Sequence, residues 1–195
     1  MLPDVYYHVY NHANGEENLF RQEENYHYFL NLWAKYIEPI TETFAYCLMP
    51  NHFHALVRVR AEAEIRSKQK LMQDLPIDMY ISRTFSNFFN AYAKAYNKMY
   101  DRRGSLFNRP FKYKEVNSDH YLTAVIHYIH RNPVHHGFRK KLDDWIFTSY
   151  HAHITNKKTK IKREEVLDWF GGLESMKQAH QLEPHIEDAS LFIDW

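Results

Sequence analysis

The sequence predicts an α+β domain: a four-stranded antiparallel sheet carrying helices on one face, followed by a helical C-terminal appendage. Three observations lead there. Segments rich in alternating, aromatic and β-branched residues and segments of helical period follow one another in the order β-α-β-β-α-β-α, a split pattern that suits such a sheet. Pro50-Asn51 joins the second and third strand segments by a link short enough for a hairpin. The chain of 195 residues, 45% hydrophobic and 25% charged, is long enough to bury a core without disulfides or structural metal.

The first strand is expected over residues 5–12, Val-Tyr-Tyr-His-Val-Tyr-Asn-His, closed by Asn14-Gly15. Tyr26, Phe29, Leu30, Trp33 and Ile37 recur at helical spacing, so residues 22–37 read as an amphipathic helix ended by Pro39. Thr41 to Met49 and His52 to Arg60 read as the paired second and third strands. Residues 61–79 are polar and irregular and read as a loop. Phe85, Phe88, Phe89, Tyr92 and Tyr96 then mark a second helix from Ile81 to Tyr100, broken at Arg103-Gly104. A fourth strand is expected from Pro110 to Val116. Ser118 is a good cap for a third helix from Asp119 to about Arg131, which Pro133 should stop. A domain over residues 1–150 and an appendage over 151–195 with one helix around Glu164–Phe170 complete the reading.

Composition excludes several classes. No run of about 18 apolar residues exists to span a membrane, and the start lacks a basic region followed by an apolar run, so a cytoplasmic location is expected. The single cysteine, Cys47, rules out an internal disulfide or a cysteine zinc cage and reads as a small core residue. Net charge is only +1, but its distribution is uneven. Lys94, Lys98, Arg102, Arg103, Arg109, Lys112 and Lys114 face one acid, Asp101, and Lys157, Lys158, Lys160, Lys162 and Arg163 form a second run. Glu174, Glu183, Glu187, Asp188 and Asp194 make an acidic end. Tyr96, Tyr100, Phe107, Phe111 and Tyr113 interleave with the first basic run, a mixture that suits single-stranded nucleic acid, although several of these rings belong to the core and a charge run is also an ordinary solvated face.

Two local patterns could carry chemistry. In His52-Phe53-His54 the strand alternation aims both imidazoles at one face, about 7 Å apart along the backbone. Two convergent imidazoles plus a third group can hold a divalent metal, and they are equally compatible with ordinary strand histidines. Arg58 and Arg60 share their face, while Phe53, Ala55, Val57 and Val59 face the helices. On the third helix, Leu122, Val125, Ile126 and Ile129 form the buried stripe. Tyr121, Tyr128 and Asn132 border it, and Tyr128 and Asn132 are one turn apart. A phenol beside a carboxamide could serve as nucleophile and ligand, or could be a plain helix-end pair. His127, His130, His135 and His136 cluster nearby and read as phosphate contacts or surface residues.

Together these patterns resemble a known family. Tyr46 to His54, with Met49-Pro50-Asn51-His52-Phe53-His54 at its end, is similar to the Met-Pro-Asn-His-hydrophobic-His motif of the single-tyrosine HUH transposases. Gly104-Ser105-Leu106-Phe107 with Phe111 resembles the strand entry of the same family, and Tyr128-Ile129-His130-Arg131-Asn132-Pro133-Val134 resembles its nucleophile helix, particularly that of the REP-associated tyrosine transposases. Trp145 with Ser149-Tyr150 resembles the segment that follows. The resemblance covers residues 5–150. It implies a ferredoxin-like fold in which His52, His54 and Asn132 bind Mg²⁺ or Mn²⁺ and Tyr128 attacks a scissile phosphate, leaving a 5′-phosphotyrosine link and a free 3′-hydroxyl. Tyr121 is the reserve nucleophile.

The function expected is a metal-dependent endonuclease and strand transferase acting on single-stranded or hairpin DNA, with Arg58, Arg102, Arg103, Arg109, Lys112 and Lys114 as DNA contacts and a monomer or homodimer as the working unit. The rival reading is a catalytically inactive nucleic-acid-binding protein of the same fold. A replication-initiator nuclease shares the chemistry but is disfavoured by the short chain. No His-Glu-x-x-His, P-loop or dinucleotide-binding glycine pattern offers another chemistry.

Overall fold

The computed structural model describes residues 1–70 and 75–182, with the backbone alone at positions 119 and 120. The acidic positions 183, 187, 188 and 194 lie outside the described residues. Four strands form one sheet: β1 (Tyr6–His12), β2 (Thr41–Leu48), β3 (His52–Val59) and β4 (Lys112–Val116). Their order is β2-β3-β1-β4, with every neighbouring pair antiparallel. The α+β class and the β2–β3 hairpin expected from sequence are both present. β4 begins two residues later than expected, after Pro110, which has no N–H to give a ladder.

One face of the sheet is covered by α1 (Glu23–Tyr36) and α3 (Ile77–Met99). Their aromatic stripes meet the strand alternation: the Phe53 ring lies 5.1 Å from Phe29, 6.1 Å from Trp33 and 6.0 Å from Phe89. Such offset and edge contacts each add to the area term. Across β1 the same face presents Tyr7 and Val9, paired with Val57 and Ala55.

The other face is not open, as a sheet with helices on one side would leave it. α4 (Asp119–His135) lies across it, burying Leu122, Val125, Ile126 and Ile129 as the helical period requires. That stripe needs an apolar partner, and the His-bearing face of β3 supplies Leu56 beside its histidines. Ser118 caps α4, its Oγ accepting from the Tyr121 N–H. The helix also runs through Pro133 to His135, four residues past the end expected at about Arg131. Proline there forfeits a single backbone bond, and the His136 N–H closes the end on the Asn132 carbonyl.

The expected loop at 61–79 contains α2 (Glu62–Gln69). Its only buried residue is Ile65, so it has no apolar period to read. Ion pairs one turn apart support it instead: Arg66 with Glu62 at 2.7 Å and Lys68 with Glu64 at 2.6 Å.

After α4 the chain returns along β2. The Leu48 N–H donates to Phe147 O and the Ser149 N–H to Tyr46 O, each at 2.9 Å, which covers part of the sheet edge. Among the described residues three helices follow: α5 (Tyr150–Ile154), α6 (Arg163–Phe170) and α7 (Leu173–Gln181). Val166 and Met176 are fully buried in the common core, and the Trp169 ring stacks on Phe44 at 5.0 Å.

Candidate active site

The site forms where β3 meets α4. His52 and His54 point to the α4 side of the sheet and are buried, at 3% and 1% exposure. Tyr128 and Asn132 descend on them from α4, also buried. The Tyr128 ring stands edge-on to His54 at 5.4 Å between centroids, and Asn132 Oδ1 lies 3.1 Å from His52 Nε2. Strand alternation and helical spacing therefore bring all four residues together.

The nitrogens are oriented by residues that sequence reasoning did not single out. His8, on β1, places its Nε2 2.9 Å from His54 Nδ1. Asn51, in the hairpin link, places its Oδ1 2.9 Å from His52 Nδ1. The His52 ring is flanked by His12 at 5.5 Å, nearly parallel, and by His136 at 5.0 Å. Burial, and after it the surrounding rings of His8, His52, His136 and His12, hold His54 well below the usual imidazole range. It is a neutral ring, the form in which histidine ligates metal.

The donor chemistry fits a divalent cation. His54 Nε2 is buried with no hydrogen-bond partner, an arrangement that costs free energy unless something takes the lone pair. Asn132 Nδ2 donates to the Tyr128 carbonyl, which turns Oδ1 toward His52. In the tautomer that carries its hydrogen on Nδ1 and gives it to Asn51 Oδ1, His52 offers Nε2 as an acceptor 3.1 Å from Asn132 Oδ1. That separation is close to the cis edge of about 3.0 Å expected for an octahedral site with Mg²⁺ bond lengths. Among the described residues no group of three His, Cys, Asp or Glu is arranged to hold a metal; the set here is two imidazoles and a carboxamide.

The basic residues divide. Arg58 is tied to Glu42 and the Tyr6 hydroxyl, and Arg102 to Glu17, Asn97 and the Ser105 carbonyl. Arg103 and Arg109 are exposed beside the loop before β4. Lys112 and Lys114 pair across β1 with Tyr10 and His8, and so share the face of the sheet that carries His54. Most of the second basic run is engaged, with Lys160 on Glu38 and Lys162 on Glu42 and Glu165. Of the interleaved aromatics, Tyr96 and Phe107 are core and Tyr113 is exposed. Tyr121 lies two turns from Tyr128 toward the start of α4 and is half-buried.

His127 and His130 are not surface residues. Both are buried against the C-terminal helices, at 8% and 0% exposure, because α5 and α7 cover the back of α4. Cys47 is a core residue, as expected, and burial raises its thiol pKa.

The fold is similar to that of a solved tyrosine transposase. The solved structure of a REP-associated tyrosine transposase bound to a REP hairpin matches with a TM-score of 0.59 at 15% identity, covering 80% of this chain and 82% of that one. The chain is also 26% identical over 136 residues to the "Putative REP-associated tyrosine transposase" of Haemophilus influenzae, covering 67% of each. The resemblance read from the motifs is thus matched by a curated homologue and by a solved fold. No family model matches the chain. No helix among the described residues is long and apolar enough to cross a membrane.

Proposed function

We propose that the protein is a single-strand-specific DNA endonuclease and strand transferase that acts at DNA hairpins through a 5′-phosphotyrosine intermediate. One observation carries the reading: two strand histidines, one with an unpartnered buried nitrogen, meet a helix-borne tyrosine and asparagine in a single buried cluster. The hairpin bound by the structural relative supports the choice of substrate.

His52, His54 and Asn132 would hold Mg²⁺ or Mn²⁺, whose charge would neutralise that developing on a scissile phosphate. Tyr128 is the nucleophile. Its oxygen forms a bond to phosphorus as the bond to the 3′-oxygen breaks. The phenol loses a proton and the 3′-oxygen gains one, so no further reactant is consumed. The link conserves the phosphodiester bond for later joining to another strand. Arg103, Arg109, Lys112 and Lys114 track the backbone of the bound DNA.

The direct test incubates the full chain with a 5′-labelled and a 3′-labelled hairpin oligonucleotide carrying single-stranded flanks, with Mn²⁺ or with EDTA. A metal-dependent protein–DNA adduct on a denaturing gel, mapping to Tyr128, is expected. Hairpin binding without an adduct under any metal would favour the inactive binding protein.

A further inference from the structure

Behind α4, away from Tyr128 and Asn132, a chain of hydrogen bonds joins three elements through Ser149. His180 of α7 places Nδ1 2.8 Å from the Met176 carbonyl and Nε2 2.9 Å from His130 Nδ1. His130 Nε2 lies 2.8 Å from Ser149 Oγ, just before α5, and that oxygen accepts the Tyr46 N–H of β2 at 2.9 Å. All three side chains are buried, His130 and Ser149 completely.

The chain can run in only one direction. A carbonyl oxygen accepts and never donates, so His180 Nδ1 carries the hydrogen. In a neutral ring Nε2 is then an acceptor, and His130 Nδ1 donates to it. His130 Nε2 in turn accepts, and the Ser149 hydroxyl donates to it while accepting from Tyr46. Every polar atom of the chain is satisfied in this arrangement and in no other with neutral rings. Burial holds both imidazoles below their usual range, His180 at about 4, in keeping with neutral forms.

His130 is two residues from both Tyr128 and Asn132, roughly 200° around the helix from each. What holds His130 therefore sets the rotation of α4, and with it how those two side chains meet β3. The far end of the chain is fixed to β2 at Tyr46, which pairs with Ala55, next to His54.

We infer that His180 is a positioning residue of the proposed nuclease: acting through His130 and Ser149, it fixes the rotation of α4 and so seats Tyr128 and Asn132 against His52 and His54. This rests on the reading of Tyr128 as nucleophile. Removing the acceptor at 180 would leave the His130 Nδ1–H buried and unsatisfied, and a buried donor without a partner drives rearrangement.

The test uses the full chain with His180→Phe, which keeps a ring but has no acceptor, and His180→Gln, whose amide oxygen can stand where Nε2 stood. At saturating hairpin oligonucleotide, His180→Phe should slow adduct formation between about 10- and 100-fold, the usual consequence of slight misplacement. Hairpin affinity should stay within about twofold, and His180→Gln should restore most of the rate. Nitrogen-15 spectra of the wild-type histidines should show both His130 and His180 as neutral Nδ1–H tautomers. The side-chain amide signals of Asn132 should move in His180→Phe and return in His180→Gln.

An unchanged rate in His180→Phe, or Asn132 signals that do not move, overturns the positioning role. An Nε2–H tautomer at His130 overturns the chain itself. Wild-type protein that forms no adduct sinks the nuclease reading instead, and the tautomer and Asn132 signals still judge the seating of α4. Should His180→Phe fail to fold, a His180→Gln variant with displaced Asn132 signals and a rate no better than a tenth of wild type overturns the inference.

Discussion

His8 Nε2 and His54 Nδ1 lie 2.9 Å apart on the covered face of the sheet, one ring on β1 and the other on β3. Their rings are stacked at 5.0 Å, and the Tyr128 ring stands edge-on to both. If His54 offers the lone pair of Nε2 to a cation, its hydrogen is on Nδ1 and His8 accepts it. An outer residue of this kind fixes the tautomer and the ring orientation of a ligand.

His8→Ala should therefore weaken Mn²⁺ binding and slow cleavage by about 10- to 100-fold, the loss seen when an outer-shell partner is removed. His52→Ala and His54→Ala should abolish cleavage outright, and EDTA should do the same to wild type. Calorimetric titration with Mn²⁺ and a cleavage assay on one hairpin oligonucleotide measure both. Wild-type metal affinity in His8→Ala would show that His54 is oriented without it.

Much of this site was legible before the fold was known. Alternation along His52-Phe53-His54 gave the common face, and helical spacing gave the Tyr128–Asn132 pair. His8 was not legible. It sits in a run of alternating aromatics, and its role depends on the β1–β3 register, which pairs it with Leu56 and places it diagonally to His54. Register between strands so far apart in the chain leaves no mark in the local pattern. His127 and His130 misled for the opposite reason: their burial comes from helices at the far end of the chain. α2 was missed because ion pairs, not an apolar stripe, support it.

The basic residues separate by exposure and by their place on the sheet. Arg58 and Arg102 already hold carboxylates, whereas Arg103 and Arg109 are exposed and Lys112 and Lys114 share the site's face. Replacing Arg103, Arg109, Lys112 and Lys114 singly by Ala should lower the salt slope of single-strand binding by about 0.7 for each phosphate left without its cation. Arg102→Ala should leave the slope alone. Binding isotherms over a range of salt concentrations decide this, and an unchanged slope in all four would make them a solvated face.

Acid should loosen the back of α4 before it touches the carboxylates. Burial outweighs the bond to Phe44 O and, with smaller effects from His180 and Arg163, lowers His153 to about 4; burial does the same for His180 against the bond to Met176 O, with a smaller effect from Arg131. Between the normal imidazole value near 6.5 and about 4, the unfolded chain binds protons that the folded chain refuses. Stability is thus full above pH 6.5 and falls as pH drops toward 4, by on the order of 3 kcal/mol for each ring. The carboxylates act lower. Burial would raise Glu17, but bonds from Arg21, the Asn18 N–H and Arg102 outweigh it and hold the group at about 2, so its contribution is lost below the usual carboxylate range. Urea midpoints at pH 7.5, 6, 5 and 4.5 test this; a flat profile from 7.5 to 5 would mean that these rings protonate as freely in the fold as outside it.

The assignment of the nucleophile separates an enzyme from a binding module. Tyr128 stands against His54 and one turn from Asn132, whose amide lies on His52. Tyr121 is two turns away, at the half-buried start of α4. Tyr128→Phe keeps the ring and its packing and removes only the attacking oxygen. Hairpin binding should survive within about twofold, while cleavage and the covalent adduct vanish, because an interaction made only on the way to the transition state has been removed. Tyr121→Phe should keep most of the activity. An adduct that persists in Tyr128→Phe and maps to Tyr121 would move the nucleophile and leave the chemistry standing. Loss of hairpin binding in Tyr128→Phe would point instead to a hydroxyl that contacts DNA in the ground state, and the two are distinguished by measuring binding and adduct formation on the same preparation.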